Sequence, residues 1–449
     1  MKIDNTLVKK YTELLMKNNR IEKHLYDKYN VKRGLRNQDG TGVLVGLTEI
    51  GDVHSYIMDE GDKIPVEGRL FYRGIDVYDL VKGIHNDKRF GFEECAYLLL
   101  FGELPTKQEL EEFENLLGRN RQLPHNFAED TIFKVPSSDI MNMLARGILV
   151  LYSYDENPED LSIEHHVKQC TQLIAKLPTL AAYAYQAKMH YFKNGSLHIH
   201  YPKAELSTAE SLLHMIRPDC SFTRLEAEML DLMLILHAEH GGGNNSTFVT
   251  HVISSTGTDI YSAISAALGS LKGPLHGGAN AKVLDMFDNI KENVKDWEDE
   301  DEISHYLRRI MAKDAFDRKG LIYGMGHAVY TISDPRAVLI KEKAEELAQS
   351  KGMSKEFNLY CTVEKLAPAI INESKQSNKP ICANVDFYSG FVYRMLGIPF
   401  DLYTPLFAVG RIAGWCAHRI EEVMCGGKII RPAYKNVSGR RKYMELNKR

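Results

Sequence analysis

Four short stretches of this chain join glycines to one polar side chain: His240-Gly-Gly-Gly-Asn-Asn, Gly273-Pro-Leu-His276-Gly-Gly-Ala-Asn280, Gly324-Met-Gly-His327-Ala-Val-Tyr and Asn384-Val-Asp386-Phe-Tyr-Ser-Gly390. Imidazoles and carboxylates are the groups that most often move protons in catalysis. Each stretch alone is a weak signal, because a histidine in a glycine loop commonly caps a helix or fills a core. Asp386 ahead of an apolar run reads equally as a helix N-cap. Their joint occurrence is the strong signal. The segment His237-Ala238-Glu239-His240 sets two imidazoles about one helical turn apart, as a metal site could. It lacks the HExxH spacing, and no cysteine or third histidine stands nearby in a ligand pattern, so no metal is expected. A satisfied structural pair and a substrate contact are the other readings of it. GTGVLVG (40–46) imitates a dinucleotide fingerprint, but the residues before it, Val31 to Asp39, are mostly polar and charged, where that fingerprint follows a buried strand.

The elements that must hold these groups read as helix after helix. Apolar residues recur at helical spacing in Leu110, Phe113, Leu116, Leu117 and in Leu225, Met229, Leu232, Met233, Leu236. Thr106 stands three residues before Glu109 and predicts a capping box that opens a helix after Pro105. Strand signals are sparse: Val43 to Val45, Arg69 to Tyr72 and Leu197 to Tyr201. The acidic run Trp297 to Glu302 reads as a solvated helix start. No repeat, low-complexity tract or Pro/Gly/Ser linker divides the chain. Its 449 residues, 26% charged and 44% hydrophobic, fit a mainly α globular enzyme with a sizeable core. Lys+Arg 56 against Asp+Glu 60 gives a net charge of -4, which offers no global field for nucleic acid or an anionic membrane. No apolar run approaches the ~20 residues that cross a bilayer. The N-terminal stretch MKIDNTLVKKYTELLMKNNRIEK has no export or transit character. Seven cysteines (95, 170, 220, 361, 382, 416, 425) without a CxxC pair fit buried thiols in a reducing compartment, and a cytoplasmic protein is expected.

The chain resembles the citrate synthase family over nearly its whole length. The matching text includes LFYRGIDVYDLV (70–81), EECAYLLLFGELPTKQEL (93–110), HAEHGGGNNSTF (237–248), GPLHGGANAKVL (273–284), GMGHAVYTISDPRA (324–337) and NVDFYSGFVYRMLGIP (384–399). The resemblance implies a large helical domain built from residues 1–279 and 385–449, interrupted by a smaller helical domain at 280–384. It implies a place in the tricarboxylic acid cycle, condensing acetyl-CoA with oxaloacetate, with no cofactor beyond the CoA substrate. Asp386 is then the base for the thioester methyl, a very weak carbon acid. His276 holds the resulting enolate by a hydrogen bond, and His327 polarises the ketone of oxaloacetate. By the same resemblance His240, Arg336, Arg411 and Arg431 bind oxaloacetate, the arginine fork suiting a carboxylate better than a lysine. Arg431 reaches the neighbouring subunit's site in the family, so a homodimer with a shared site is expected.

Two positions depart from the family pattern. Thr331 stands where a basic residue commonly helps to hold CoA phosphates, and Ala433 replaces a second basic residue after Arg431. Lys282, Arg318 and Lys319 could compensate, but no motif supports them. A 2-methylcitrate synthase acting on propionyl-CoA shares the same catalytic set, since one methylene in an apolar pocket is worth only ~1–3 kcal/mol. A metal-dependent hydrolase built on HAEH and a silent binding protein with the same fold are the readings from other classes.

Overall fold

A computed structural model describes residues 5–18, 20–37, 40–60 and 62–449. Residues 1–4 and 19 of the N-terminal stretch, and 38–39 ahead of the GTGVLVG run, lie outside the described residues. The chain divides into two compact units, one made of Met1–Leu47 with Ile430–Arg449 and the other of Thr48–Ile429.

The first unit holds α1 (Asn5–Asn18) and α2 (His24–Lys28). α1 buries none of its side chains, and Leu7, Val8, Tyr11, Leu14 and Leu15 all stand exposed. Exposed too are Arg431, Tyr434, Tyr443 and Leu446 of the C-terminal arm. The expected strand at Val43 to Val45 does not form. Among the described residues that stretch joins no strand: the isolated bridge pairs Arg36 with Gly42, the Val43 N–H donates to Leu35 O at 2.9 Å, and β-branched residues without a neighbouring strand make no sheet.

The second unit opens with an antiparallel sheet in the order β1 (Gly51–Asp59), β2 (Asp62–Tyr72), β3 (Ile75–Asp76). Arg69 to Tyr72 is part of β2 as expected, whereas the sequence reading missed β1, whose polar outer residues hide the alternation. Helices follow. They are α3 (Val77–Asn86), α4 (Phe92–Phe101), α5 (Lys107–Asn120), α6 (Ile140–Leu151), α7 (Ile163–Lys193), α8 (Thr208–Ile216) and α9 (Arg224–His237). Next come α10 (Asn245–Ser254), α11 (Ile260–Lys272), α12 (Ala279–Asn293) and α13 (Glu300–Met311), then α14 (Pro335–Ser350), α15 (Ser354–Lys375), α16 (Val385–Met395) and α17 (Tyr403–Met424). Leu197 to Tyr201 is an irregular segment after α7 instead of a strand. Its His198 and His200 rings stack on each other, and His200 also packs against His214.

The local signals act as their chemistry requires. Thr106 and Glu109 exchange both capping-box bonds at the start of α5. Asp299 caps α13, and Glu302 reaches back to the Lys295 and Asp296 N–H groups. α17 is buried around its whole circumference from Val409 to Ile420, so it is a core helix and not a surface one. Small residues set its position. A Cβ on Gly410 would lie 2.8 Å from the Leu234 carbonyl oxygen, and one on Gly414 would lie 2.3 Å from that of Ala238. Only glycine lets α17 approach the C-terminal end of α9 this closely, and the polar side chains of both helices meet there.

Candidate active site

Four elements converge on one polar centre: the loop after α9, the α11–α12 loop, the turn before α14, and the start of α16. Arg411 enters from α17 with its side chain fully buried, and its Nε donates to the His237 carbonyl at 2.6 Å. Both terminal nitrogens of this guanidinium are buried without a hydrogen-bond partner among the described residues. Burial lowers its pKa to about 10, which still leaves it charged at neutrality. His237 and His240 are buried beside it, and burial together with the nearby arginines pushes both far below the ordinary histidine value. They are neutral rings. The His240 ring lies 5.2 Å from that of His327 and 5.6 Å from that of Tyr330, with Tyr330 stacked on His327 at 4.8 Å. Arg336 completes the group, its Cζ 5.8 Å from the Tyr330 ring.

Asp334 fixes Arg336. Its carboxylate caps α14, accepts from Arg336 Nε at 3.0 Å and Nη2 at 2.8 Å, and accepts the Val385 N–H at 3.2 Å. One side chain thus ties the helix carrying Arg336 to the helix carrying Asp386. A second tie comes from the backbone. The Asn384 N–H donates to Gly324 O at 2.8 Å and the Gly326 N–H to Cys382 O at 2.7 Å, which holds the His327 turn against the start of α16. Gly324 has φ +81°, and a Cβ there would meet Phe387 at 2.8 Å, so glycine is required on both counts. The N-cap of α16 is Asn384 and not Asp386, which sits two residues further in and donates its own N–H to the Asn384 side chain. Enclosure by protein pushes the Asp386 carboxyl up to about 6, with Arg336 pulling against that rise and Asp334 adding to it.

His276 stands in the turn between α11 and α12. Gly277 is obligatory here, since a Cβ would come within 2.3 Å of the Leu271 carbonyl oxygen. Burial, with Arg411 adding to it, lowers the His276 pKa to about 4, so the ring is neutral, as expected for a hydrogen-bond donor to an enolate. Its Nε2 lies 3.1 Å from Ser246 Oγ, a hydroxyl that also receives the Trp415 indole N–H at 3.2 Å and lies 3.0 Å from Asn244 Oδ1. At His327 the Val329 and Tyr330 N–H groups both donate to Nδ1 at 3.1 Å, so the neutral ring carries its proton on Nε2.

The structure therefore gathers His240, His327 and Arg336 with Tyr330. Arg411 lies within electrostatic range of His237, His240, His276 and Arg336, and Arg336 within range of Asp386. Arg431 belongs to the first unit, where it is exposed. Tyr330, Asp334, Ser246 and Trp415 escaped the sequence reading. Tyr330, Ser246 and Asp334 lie inside quoted motifs, and Trp415 is one of only two tryptophans in the chain. At the expected CoA clamp, the Thr331 hydroxyl is buried without a hydrogen-bond partner among the described residues. A cavity of about 1010 Å³ between α3, α9 and α14, lined by Tyr78, Arg224, Glu228 and Lys343 among others, contains none of these site residues.

A mainly helical unit with a buried cluster of neutral imidazoles, arginines and one weakened carboxylic acid defines an enzyme site for small anionic substrates. Residues 38–433 match the model of the citrate synthase C-terminal domain. The citrate synthase of Haloferax volcanii is 36% identical over 411 residues, covering 90% of this chain and 94% of the relative. The 2-methylcitrate synthase of Shewanella oneidensis is 33% identical over 379 residues, covering 83% and 90%. The ternary complex of Thermoplasma acidophilum citrate synthase with carboxymethyl coenzyme A and oxaloacetate superposes with a TM-score of 0.75 at 28% identity, covering 93% of this chain and 99% of that one. The chain belongs to the citrate synthase family of acyltransferases, and its mainly α fold is the family's.

Proposed function

We propose that this enzyme condenses acetyl-CoA with oxaloacetate and water to give citrate and CoA, as in the tricarboxylic acid cycle. The observation that carries this reading is Arg411, a fully buried cation with two unused donors beside neutral imidazoles and a second arginine. Buried donors left unused are costly, and a carboxylate presents two oxygens at the spacing of those donors. Oxaloacetate has two carboxylates, for Arg411 and Arg336, and a ketone that His327 Nε2–H can polarise with His240 alongside. Asp386 takes the methyl proton of acetyl-CoA, and His276 donates to the thioester oxygen. That last role requires the His276 proton on Nδ1, because Nε2 faces Ser246.

The reaction needs no metal or cofactor beyond the CoA substrate in this scheme. Residues 280–384 form a smaller domain inserted between 1–279 and 385–449, and its closure shields the enolate from water. The exposed apolar face of α1 and the exposed C-terminal arm with Arg431 support a homodimer in which the arm completes the partner's oxaloacetate site. No helix among the described residues is long and apolar enough to cross a membrane; we place the enzyme in the cytoplasm. The test is release of free CoA thiol from acetyl-CoA on addition of oxaloacetate, with citrate identified as product, and the same assay with propionyl-CoA. Thiol release without citrate, or a higher kcat/KM for propionyl-CoA, would overturn this assignment.

A further inference from the structure

Glu239 stands between the two histidines of the HAEH segment, and none of the chemistry above uses it. Its carboxylate is wholly buried, in space left by two glycines: a Cβ on Gly51 would lie 2.7 Å from Glu239 Cγ, and one on Gly414 would lie 2.5 Å from Oε2. Oε1 accepts the Gly241 N–H and lies 3.1 Å from His418 Nε2. His418, equally buried on α17, points its Nδ1 at His251 Nε2 on α10, 3.1 Å away, with Glu421 Oε2 at 3.7 Å. His251 Nδ1 is 2.7 Å from Glu422 Oε2. Gly242, in the loop between His240 and Asn244, lies over both rings, its Cβ position 3.7 Å from His251 Nε2 and from His418 Cε1.

With His251 Nδ1–H donating to Glu422 and His418 Nε2–H facing the Glu239 carboxylate, a hydrogen bond between His251 Nε2 and His418 Nδ1 needs one further proton on the pair of rings. The carboxylates around His418 favour its lying there. His418 is therefore an imidazolium: burial alone would lower its pKa, but Glu239 and Glu421 outweigh burial and raise it to about 9. Arg411 faces Glu239, Arg73 faces Glu421 and Arg419 faces Glu422, so the surrounding charge is mixed and close to balanced.

We propose that Glu239 and His418 are positioning residues for oxaloacetate: their buried ion pair, extended through His251 to Glu422, fixes the loop of residues 241–244 and sets where His240 and Arg411 meet the substrate. The proposal rests on the activity proposed above. Glu239 gives the Arg411 guanidinium a counter-charge at a distance, which leaves its two terminal nitrogens for the substrate. Without the Glu239 charge the ion pair to His418 Nε2 is lost, and with it the tie that holds the His418 ring beneath Gly242 against the loop.

The experiment compares the wild type with Glu239→Gln, His418→Gln and the double variant in steady-state kinetics, with circular dichroism and metal analysis of each purified protein. Each single variant is expected to raise the oxaloacetate KM about tenfold or more while the acetyl-CoA KM stays within about twofold. The double variant should be no worse than the worse single one, because the two residues act as one unit. His251→Asn, at the less buried end, should give a smaller change in the same direction and keeps the test open if the inner variants fail to fold. KM values that move together or stay put, or single effects that multiply in the double variant, would overturn the proposal. So would one equivalent of metal in the wild type, because His251, His418 and Glu421 each offer a ligand atom within 4.8 Å of the others' and could hold a cation in place of the proton. A wild type that releases no thiol would overturn the activity reading and this one with it. An active wild type with unmoved variants would overturn this one alone.

Discussion

Burial acts in opposite directions on the Asp386 carboxyl and the His276 ring, and both directions suit the roles proposed for them. A base for a carbon acid gains strength when burial raises its pKa, and a donor to an enolate works best as a neutral ring. Asp386→Ala should lower thiol release by about two to four orders of magnitude while calorimetry still detects oxaloacetate binding; equal loss of both would contradict a role confined to the methyl proton. The base works only when ionised. With its carboxyl at about 6, kcat/KM should fall as pH drops through 6, and a rate that stays flat down to pH 5 would rule out this assignment. The sign for stability is reversed: a carboxyl raised in the folded state favours folding only in its protonated form, so its contribution is present below the unfolded pKa and lost as pH rises through 6. Asp386→Asn should therefore raise Tm at neutral pH while abolishing turnover, the exchange of stability for function seen at many active sites. His276, His327 and Asp386 stood out in the sequence because each lies in a short motif that sets it within a few residues of a glycine. Glu239, Ser246, Trp415 and His418 did not, because their partners lie more than a hundred residues away or on another helix, and no periodicity marks such a pair.

At the scale of elements, close backbone approach requires glycine in the α11–α12 turn as it does on α17. Gly277→Ala should disrupt the α11–α12 turn, since the added methyl collides with backbone at 2.3 Å, and activity should drop well beyond any change in Tm. Thr106→Ala removes one half of a capping box far from the site and should cost about 1 kcal/mol of stability, read by denaturant unfolding, with kcat and KM unchanged. Helix periodicity and caps made most of the helical pattern legible, as at α5, α9 and α13. The sheet was harder. β1 pairs with β2 through a bulge between His54 and Tyr56, which breaks the alternation that sequence reading depends on, and Val43 to Val45 has strand-like composition but no partner.

For the whole molecule, the expected arrangement is a pair of chains that share their substrate sites. Light scattering should give twice the chain mass, and Arg431→Ala should raise the oxaloacetate KM without lowering Tm, because an exposed side chain contributes little to folding. A monomer with full activity would exclude a shared site. Asp334 has a consequence of its own. It clamps Arg336 and touches the first turn of α16, and Arg336 holds the Asp386 carboxyl below where burial alone would put it. On the roles proposed for these residues, a dianion settled on Arg336 would partly cancel that restraint. Asp386 would then be primed by the first cargo, a stronger proton acceptor once an electrophile is ready to trap the carbanion, which works against idle turnover of acetyl-CoA.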